Sequence, residues 1–128
     1  MEKGLILCDT NIIIEFYKGN DEIVEKLKGI GIEKIAISAI TLGELIFGAL
    51  NNKELSSILK DSKSLNIIPI NQSISNRFLG LMQKFSLSHK LAIPDALIAA
   101  TAIENNFEFF TLNVKDFRFI KDLRLFEV

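Results

Sequence analysis

Short runs of Ile, Leu and Phe alternate along the chain with longer stretches in which apolar residues recur every three or four positions. Leu5-Ile6-Leu7-Cys8, Ile35-Ala36-Ile37, Ile67-Ile68-Pro69-Ile70, Phe109-Phe110-Thr111-Leu112 and Leu123 to Val128 read as five short strands. Pro69 cannot donate to a ladder, so it marks the end of its strand or a sheet edge. Between the strands, helices are predicted over 21–28, 39–50, 53–62, 73–85 and 92–105, with apolar residues at helical spacing in the first and fourth and the third polar and expected to be exposed. Ser38 stands where the second of these needs an N-cap. Pro94 in the first turn and Asn105-Asn106 at the end bound the last. Strands alternating with helices imply an α/β fold, a parallel sheet covered on both faces. Sites in such sheets lie beyond the C-terminal ends of the strands. Asp9, the segment Ser38 to Thr41 and the segment Asn113 to Asp116 each follow a strand.

Composition narrows the class. A chain of 128 residues fits one domain spanning 1–128, and 48 % hydrophobic with 24 % charged residues is the balance of a folded globular protein. The most apolar stretch, Leu91 to Ile103, is broken by Asp95, short of the roughly 20 residues a membrane span needs. The N-terminal residues do not form a signal peptide, so the expected compartment is the cytoplasm. Cys8 is the only cysteine, which excludes an internal disulfide and offers too few thiols for a Cys-ligated zinc; it is expected to pack as a small hydrophobe. The net charge is −1, and the halves are nearly balanced, with 8 basic and 10 acidic residues before position 71 and 7 and 6 after it. Charge alone therefore carries no argument for nucleic acid.

Three acids fall in otherwise apolar segments. Asp9 ends the first strand, where it either caps the following helix or enters a site. Glu44 lies in Ile40-Thr41-Leu42-Gly43-Glu44-Leu45-Ile46-Phe47, apolar on nearly every side, where an acid needs a cationic partner or an open edge. Thr41, Glu44, Phe47 and Gly48 share one face of that helix, and Gly43 and Gly48 leave room for another backbone or a ligand. Asp95 opens Ile93-Pro94-Asp95-Ala96-Leu97-Ile98-Ala99-Ala100, where the helix dipole favours its ionised form. Each acid has an ordinary structural explanation, but a parallel sheet would bring the three together. Clustered carboxylates repel one another unless a cation compensates. A hard ion, Mg²⁺ or Mn²⁺, suits an oxygen-only donor set.

These segments resemble the PIN-domain family. Leu7-Cys8-Asp9-Thr10-Asn11 resembles its opening motif, Ser38 to Leu45 its second, Ile93 to Ala102 its third and Thr111-Leu112-Asn113-Val114-Lys115-Asp116-Phe117 its last, in family order over essentially the whole chain. The group it is most similar to is the VapC-like toxins of toxin–antitoxin pairs. The resemblance implies a PIN-like three-layer sandwich with strand order 3-2-1-4-5. It implies an Mg²⁺- or Mn²⁺-dependent endoribonuclease with Asp9, Glu44 and Asp95 as catalytic metal ligands. It leaves Asn113 and Asp116 both open as the fourth site residue, with Thr10, Asn11 and Thr111 as supporting polar groups. It further implies a small antitoxin partner and a homodimer, with exposed apolar surface on the first helices near Ile12, Ile13 and Phe16. The expected reaction is hydrolysis of structured RNA, tRNA among the candidates, by metal-activated water, leaving a 5′-phosphate.

Other readings fit less of the sequence. A haloacid-dehalogenase-type phosphatase also starts with a strand ending in Asp, but it needs a second acid where Asn11 stands. A receiver domain would need paired acids on its first loop. A housekeeping PIN domain, or one that binds RNA without cutting it, shares every motif. His89, the only histidine, lies among polar residues in Ser86-Leu87-Ser88-His89-Lys90 and reads as a surface loop residue, placed to meet RNA phosphate with Lys84 and Lys90. Most of the ten Phe residues fall at core spacing; Phe16, Tyr17 and Phe47 do not.

Overall fold

A computed structural model describes residues 4–127. The β-rich apolar runs form five short strands: β1 (Ile6–Cys8), β2 (Ile35–Ser38), β3 (Asn66–Ile68), β4 (Glu108–Phe110) and β5 (Arg124–Leu125). All neighbours pair in parallel, in the order β3-β2-β1-β4-β5. β1 is central, with Leu7 opposite Ala36 on one side and Phe109 on the other. Pro69 directly follows β3, an edge strand, where its missing donor is tolerated. The fifth strand is shorter than the run Leu123 to Val128 suggests, and Val128 lies outside the described residues.

Alternating strand residues face opposite layers. Leu7, Ala36 and Phe109 join a core with α5 (Gln72–His89) and α6 (Ile93–Glu104), while Cys8, Ile37 and Phe110 join a second core with α1 (Thr10–Tyr17), α2 (Asp21–Ile30) and α3 (Ala39–Phe47). The sheet is thus the middle of three layers. Helix α4 (Asn52–Ser62) buries no residue fully. Cys8 is buried, and burial followed by the neighbouring Asp9 charge pushes its thiol up to about 12, which leaves it a packing residue. Two short 3₁₀ turns, Ile32–Lys34 and Val114–Asp116, complete the described elements.

Several local expectations change. The helix α1, directly after Asp9, is not signalled by spacing, because three consecutive isoleucines fill its middle. Ile12 and Ile13 are buried in the second core and offer no partner surface; of the α1 residues expected to be exposed, only Phe16 is. His89 is exposed, as expected, but it closes the last turn of α5 rather than lying in a loop, and the helix ends on Lys90 in the left-handed conformation. Nothing lies within 4 Å of a Cβ placed on Gly43, so the space that glycine leaves is open and no other backbone of the described chain occupies it. Gly48 closes α3 as its C-cap.

Phe109 tests the central packing. It is fully buried and meets Phe117 edge-on at a centroid distance of 4.8 Å. Phe109→Ala is expected to lower unfolding free energy by about 3–5 kcal/mol, measured by urea denaturation. A loss under about 1 kcal/mol would mean this layer is not the packed core described.

Candidate active site

Asp9 stands at the C-terminal end of β1 and is only 5 % exposed. Its backbone N–H donates to the Phe110 carbonyl at 2.8 Å, continuing the β1–β4 pairing past the strand ends. As the residue capping α1, it accepts from the Thr10 N–H at Oδ1 (2.8 Å), while Oδ2 accepts from the Thr111 hydroxyl beyond β4 (2.8 Å). Asp9 therefore fulfils the capping role and faces the site as well. Thr111 in turn accepts from the Asn113 N–H at 3.0 Å, and the Asn11 side-chain oxygen receives the Leu112 N–H at 3.4 Å. The β4 exit loop is thus tied to the start of α1.

Glu44 projects from α3, whose start is capped by the buried Ser38 hydroxyl receiving the Ile40 N–H. Although its helix is apolar, Glu44 is exposed and has no cationic partner among the described residues. The Thr10 hydroxyl donates to Glu44 Oε1 at 2.6 Å and lies 3.1 Å from the hydroxyl of buried Thr41. Asp95 is half-buried in the first turn of α6. Asp116 ends the 3₁₀ turn after β4 and is exposed.

The four acids share one electrostatic neighbourhood. Burial raises the Asp95 carboxyl from 3.8 to about 6, and the charges of Asp9, Asp116 and Glu44 add to it. Burial also raises Asp9; the Thr111 and Thr10 bonds oppose it, and the Glu44 and Asp116 charges reinforce it. Among the described residues no ion pair reaches any of the four. Asp116 is the member of the last motif that acts on Asp9 and Asp95. Asn113 is exposed, and its side chain makes no capping bond to the turn it precedes. Among the described residues, no three acid, His or Cys side chains stand close enough to cage an ion alone.

The donor chemistry fits Mg²⁺ or Mn²⁺ nonetheless. It consists of carboxylate and hydroxyl oxygens, Cys8 is sealed in the core, and Mg²⁺ keeps several waters rather than demanding an all-protein cage. Uncompensated repulsion is the condition that an added cation relieves.

Fold and site together define a parallel α/β protein with a carboxylate centre at the C-terminal edge of its strands. The sequence profile of the PIN domain matches residues 6–122, and the chain belongs to the PIN-domain family. It is 29 % identical over 125 residues to the Mycobacterium tuberculosis protein called ribonuclease VapC10, covering 94 % of this chain and 91 % of that one. It is 32 % identical over 127 residues to ribonuclease VapC1 of Methanocaldococcus jannaschii, covering 97 % and 87 %. The structure superposes with a TM-score of 0.79 and 35 % identity on a chain of a toxin–antitoxin complex from Klebsiella pneumoniae, covering 96 % of this chain and 99 % of that one.

The elevated Asp95 carboxyl generates a prediction without any ion. Between pH 3.8 and about 6 the folded chain binds more protons than the unfolded one, so this group's stabilising contribution is present at low pH and lost as pH rises through about 6. In EDTA, Asp95→Asn is expected to stabilise the fold at pH 7.5 by about 1–2 kcal/mol, discounting the shift for partial exposure, and to give no gain near pH 3.5. Thermal melts at the two pH values check this; a variant equally or less stable at pH 7.5 would contradict it. Mn²⁺ is expected to raise the wild-type melting temperature and to leave the Asn variant nearly unmoved.

Proposed function

We propose that this chain is a divalent-metal-dependent endoribonuclease, the toxin of a toxin–antitoxin pair, acting in the cytoplasm on structured RNA with tRNA among the candidates. The observation that carries the reading is the gathering of Asp9, Glu44, Asp95 and Asp116 at one strand edge, with no ion pair to any of them among the described residues. The names of the ribonuclease relatives support the reaction class.

Asp9, Asp95 and Glu44 are the residues proposed to hold Mg²⁺ or Mn²⁺, with Asp116 completing the set and Asn113 offering an amide oxygen on the same loop. When bound there, such an ion neutralises phosphodiester charge and acidifies water. The chain's own residues do the remaining work. Two donors fix the two Asp9 oxygens, so this carboxylate is oriented before anything binds. The Thr10 hydroxyl occupies one Glu44 oxygen, and the other has no protein donor among the described residues, leaving it to orient an attacking water. His89, the only imidazole, sits at the end of α5 bonded to Ser88 and stacked on Phe119, so no histidine pair activates a ribose 2′-hydroxyl. Attack by water expels the 3′-oxygen and leaves a 5′-phosphate.

The partner surface is assigned to α1 and α3 rather than to Ile12 and Ile13. Phe47 is 93 % and Leu50 85 % exposed, and Ile46, Ile14 and Phe16 are exposed as well. Apolar exposure of this kind marks association surfaces. We assign it to a homodimer and to a small antitoxin protein.

Purified protein incubated with an RNA pool should cut in Mg²⁺ or Mn²⁺ and not in EDTA, leaving 5′-phosphate ends. Asp9→Asn should lose orders of magnitude in rate with the fold intact. Thr111→Val, which removes one Asp9 donor, should lose roughly 10- to 100-fold, the usual effect of removing a partner behind a ligand. Cyclic phosphate products or full activity in EDTA would overturn the mechanism; binding without cleavage would leave an RNA-binding domain. Light scattering at micromolar concentration should show a dimer that Phe47→Asp converts to monomer, and a monomeric wild type would remove the dimer.

A further inference from the structure

The face of the molecule made by the end of α5 and the segment after Asp116 carries a feature that the carboxylate site does not use. The His89 ring lies parallel to Phe119, with centroids 4.0 Å apart and planes 13° apart, and Phe85 meets both rings edge-on. The Ser88 hydroxyl and His89 Nδ1 share a 2.8 Å hydrogen bond that fixes the imidazole. His89 nevertheless remains exposed. An isolated core histidine is not presented in this way; one ring face is backed by an aromatic, and the side chain stays open to solvent.

The surroundings are basic. No acidic residue occurs between Asp61 and Asp95, and none between Asp116 and Asp122. Lys84 places its Nζ 5.5 Å from the centre of the Phe85 ring, and Lys84, Phe85 and Lys121 line one groove of about 670 Å³ between α5 and the turn after Phe117. The acids of that groove, Glu104 and Asp122, are already engaged by Arg77 at 2.7 and 3.3 Å, whereas neither Lys84 nor Lys121 makes an ion pair among the described residues. Lys90 and Arg118 are chain neighbours of the two stacked rings and are likewise without an ion pair.

Only short stretches of chain separate this patch from two of the carboxylates. Phe119 is three residues from Asp116, at most about 11 Å of extended chain, and His89 ends the helix that leads through a three-residue link into the one bearing Asp95. A cluster of four carboxylates repels a phosphodiester backbone, so a polyanion needs a cationic hold beside it. A π-face flanked by unpaired lysines is the recognition chemistry of an unstacked nucleobase with its phosphates.

We propose that the His89–Phe119 stack with Lys84 and Lys121 is a platform for a single-stranded segment of RNA, on which one base stacks against His89 while adjoining phosphates meet the lysines, next to the bond to be cut. This deepens the ribonuclease reading and rests on it for the identity of the nucleic acid. The occupied stretch must be unpaired, which points to loops or ends of structured RNA rather than to its helices.

The test uses the full chain and a fluorescent 12-nucleotide single-stranded RNA, with binding read by anisotropy in the Asp9→Asn background and cleavage read in the otherwise native chain. His89→Ala should weaken binding about tenfold or more, the scale of one base–aromatic stack, and His89→Phe should restore it by keeping the π-face. Lys84→Gln with Lys121→Gln should lower the slope of log affinity against log salt by about 1.4. A duplex of the same sequence should bind without dependence on His89. In cleavage, His89→Ala should raise KM with kcat little changed. Equal affinity of wild type and His89→Ala, or failure of His89→Phe to restore binding while both variants melt at the wild-type temperature, would overturn the platform. RNA cleavage independent of His89 would remove the platform and leave the ribonuclease; His89-dependent binding with no cleavage under any metal would do the reverse.

Discussion

The Asp9 carboxylate is the constraint on which the strand edge depends. It is buried at the point where the central strand ends, and burying an acid without compensation is costly. Its two donors come from different parts of the chain, the Thr10 N–H that begins α1 and the Thr111 hydroxyl that follows β4. Satisfying one carboxylate therefore sets the exit of β4 against the entry of α1 and carries Asp116 toward the same edge. Thr10 extends the same device outward, because its hydroxyl reaches Glu44 on α3. Two threonines thus connect three of the four acidic segments, and Asp95 joins through the packing of α6 beneath β1 and β4. What this scaffold does not neutralise is charge: the Asp95 carboxyl remains raised to about 6. Local rules of stability are broken here and kept elsewhere, which is the usual mark of a functional site.

Much of this was legible before the structure. Strands read from short apolar runs lie within a residue or two of their positions, except at the C-terminus, where β5 is only two residues long. The alternation of strands and helices implied a parallel sheet, but not its order. Order depends on which crossovers neighbour which, and only the family resemblance supplied it. Helix α1 was hidden because Ile12-Ile13-Ile14 is a β-branched run with no helical periodicity; tertiary burial of Ile12 and Ile13 overrides the propensity. The same burial explains why those residues are unavailable to a partner. Glu44 in an apolar helix required a cationic partner or an open edge, and the structure gives it the open edge: Ile46 and Phe47 on the same helix are exposed too, so its hydrophobicity belongs partly to surface. Ser86, Ser88 and Lys90 made the end of α5 look like a loop, and nothing local could announce that Phe119 would lie beneath His89.

The structure also explains why bulk charge was uninformative. A net charge of −1 arises from an uneven surface, with acids converging at the strand edge and Lys84, Lys90, Arg118 and Lys121 standing without an ion pair among the described residues. Exposed apolar side chains on α1 and α3 include Ile14, Phe16, Tyr17, Ile46 and Phe47. The apolar side chains of α1 and α3 and the basic residues of α5 thus lie in opposite layers of the sandwich, and the carboxylate centre draws on both, Glu44 from α3 and Asp95 from α6. A substitution on either flank need not disturb the buried hub at Asp9, and the two flanks are free to meet chemically different molecules.

Electrostatics then ranks the order in which those molecules meet the site. Four ionised carboxylates carry more negative charge than one divalent ion removes, so a single cation leaves the edge still repelling phosphate. Partial protonation of Asp95 near its raised pKa, or a second cation, reduces the remainder. Screening by salt is weak for a half-buried group and strong for exposed ones. The repulsion at the half-buried centre is therefore the less screened of the two, and compensating it is the first condition for a polyanion to approach that edge. A chain that placed its basic residues among the acids would have paired the two and left neither free for the roles proposed above, the carboxylates to hold an ion and the cations to hold RNA. Keeping them on adjacent elements, joined by only a few residues of chain, preserves each charge for a different task.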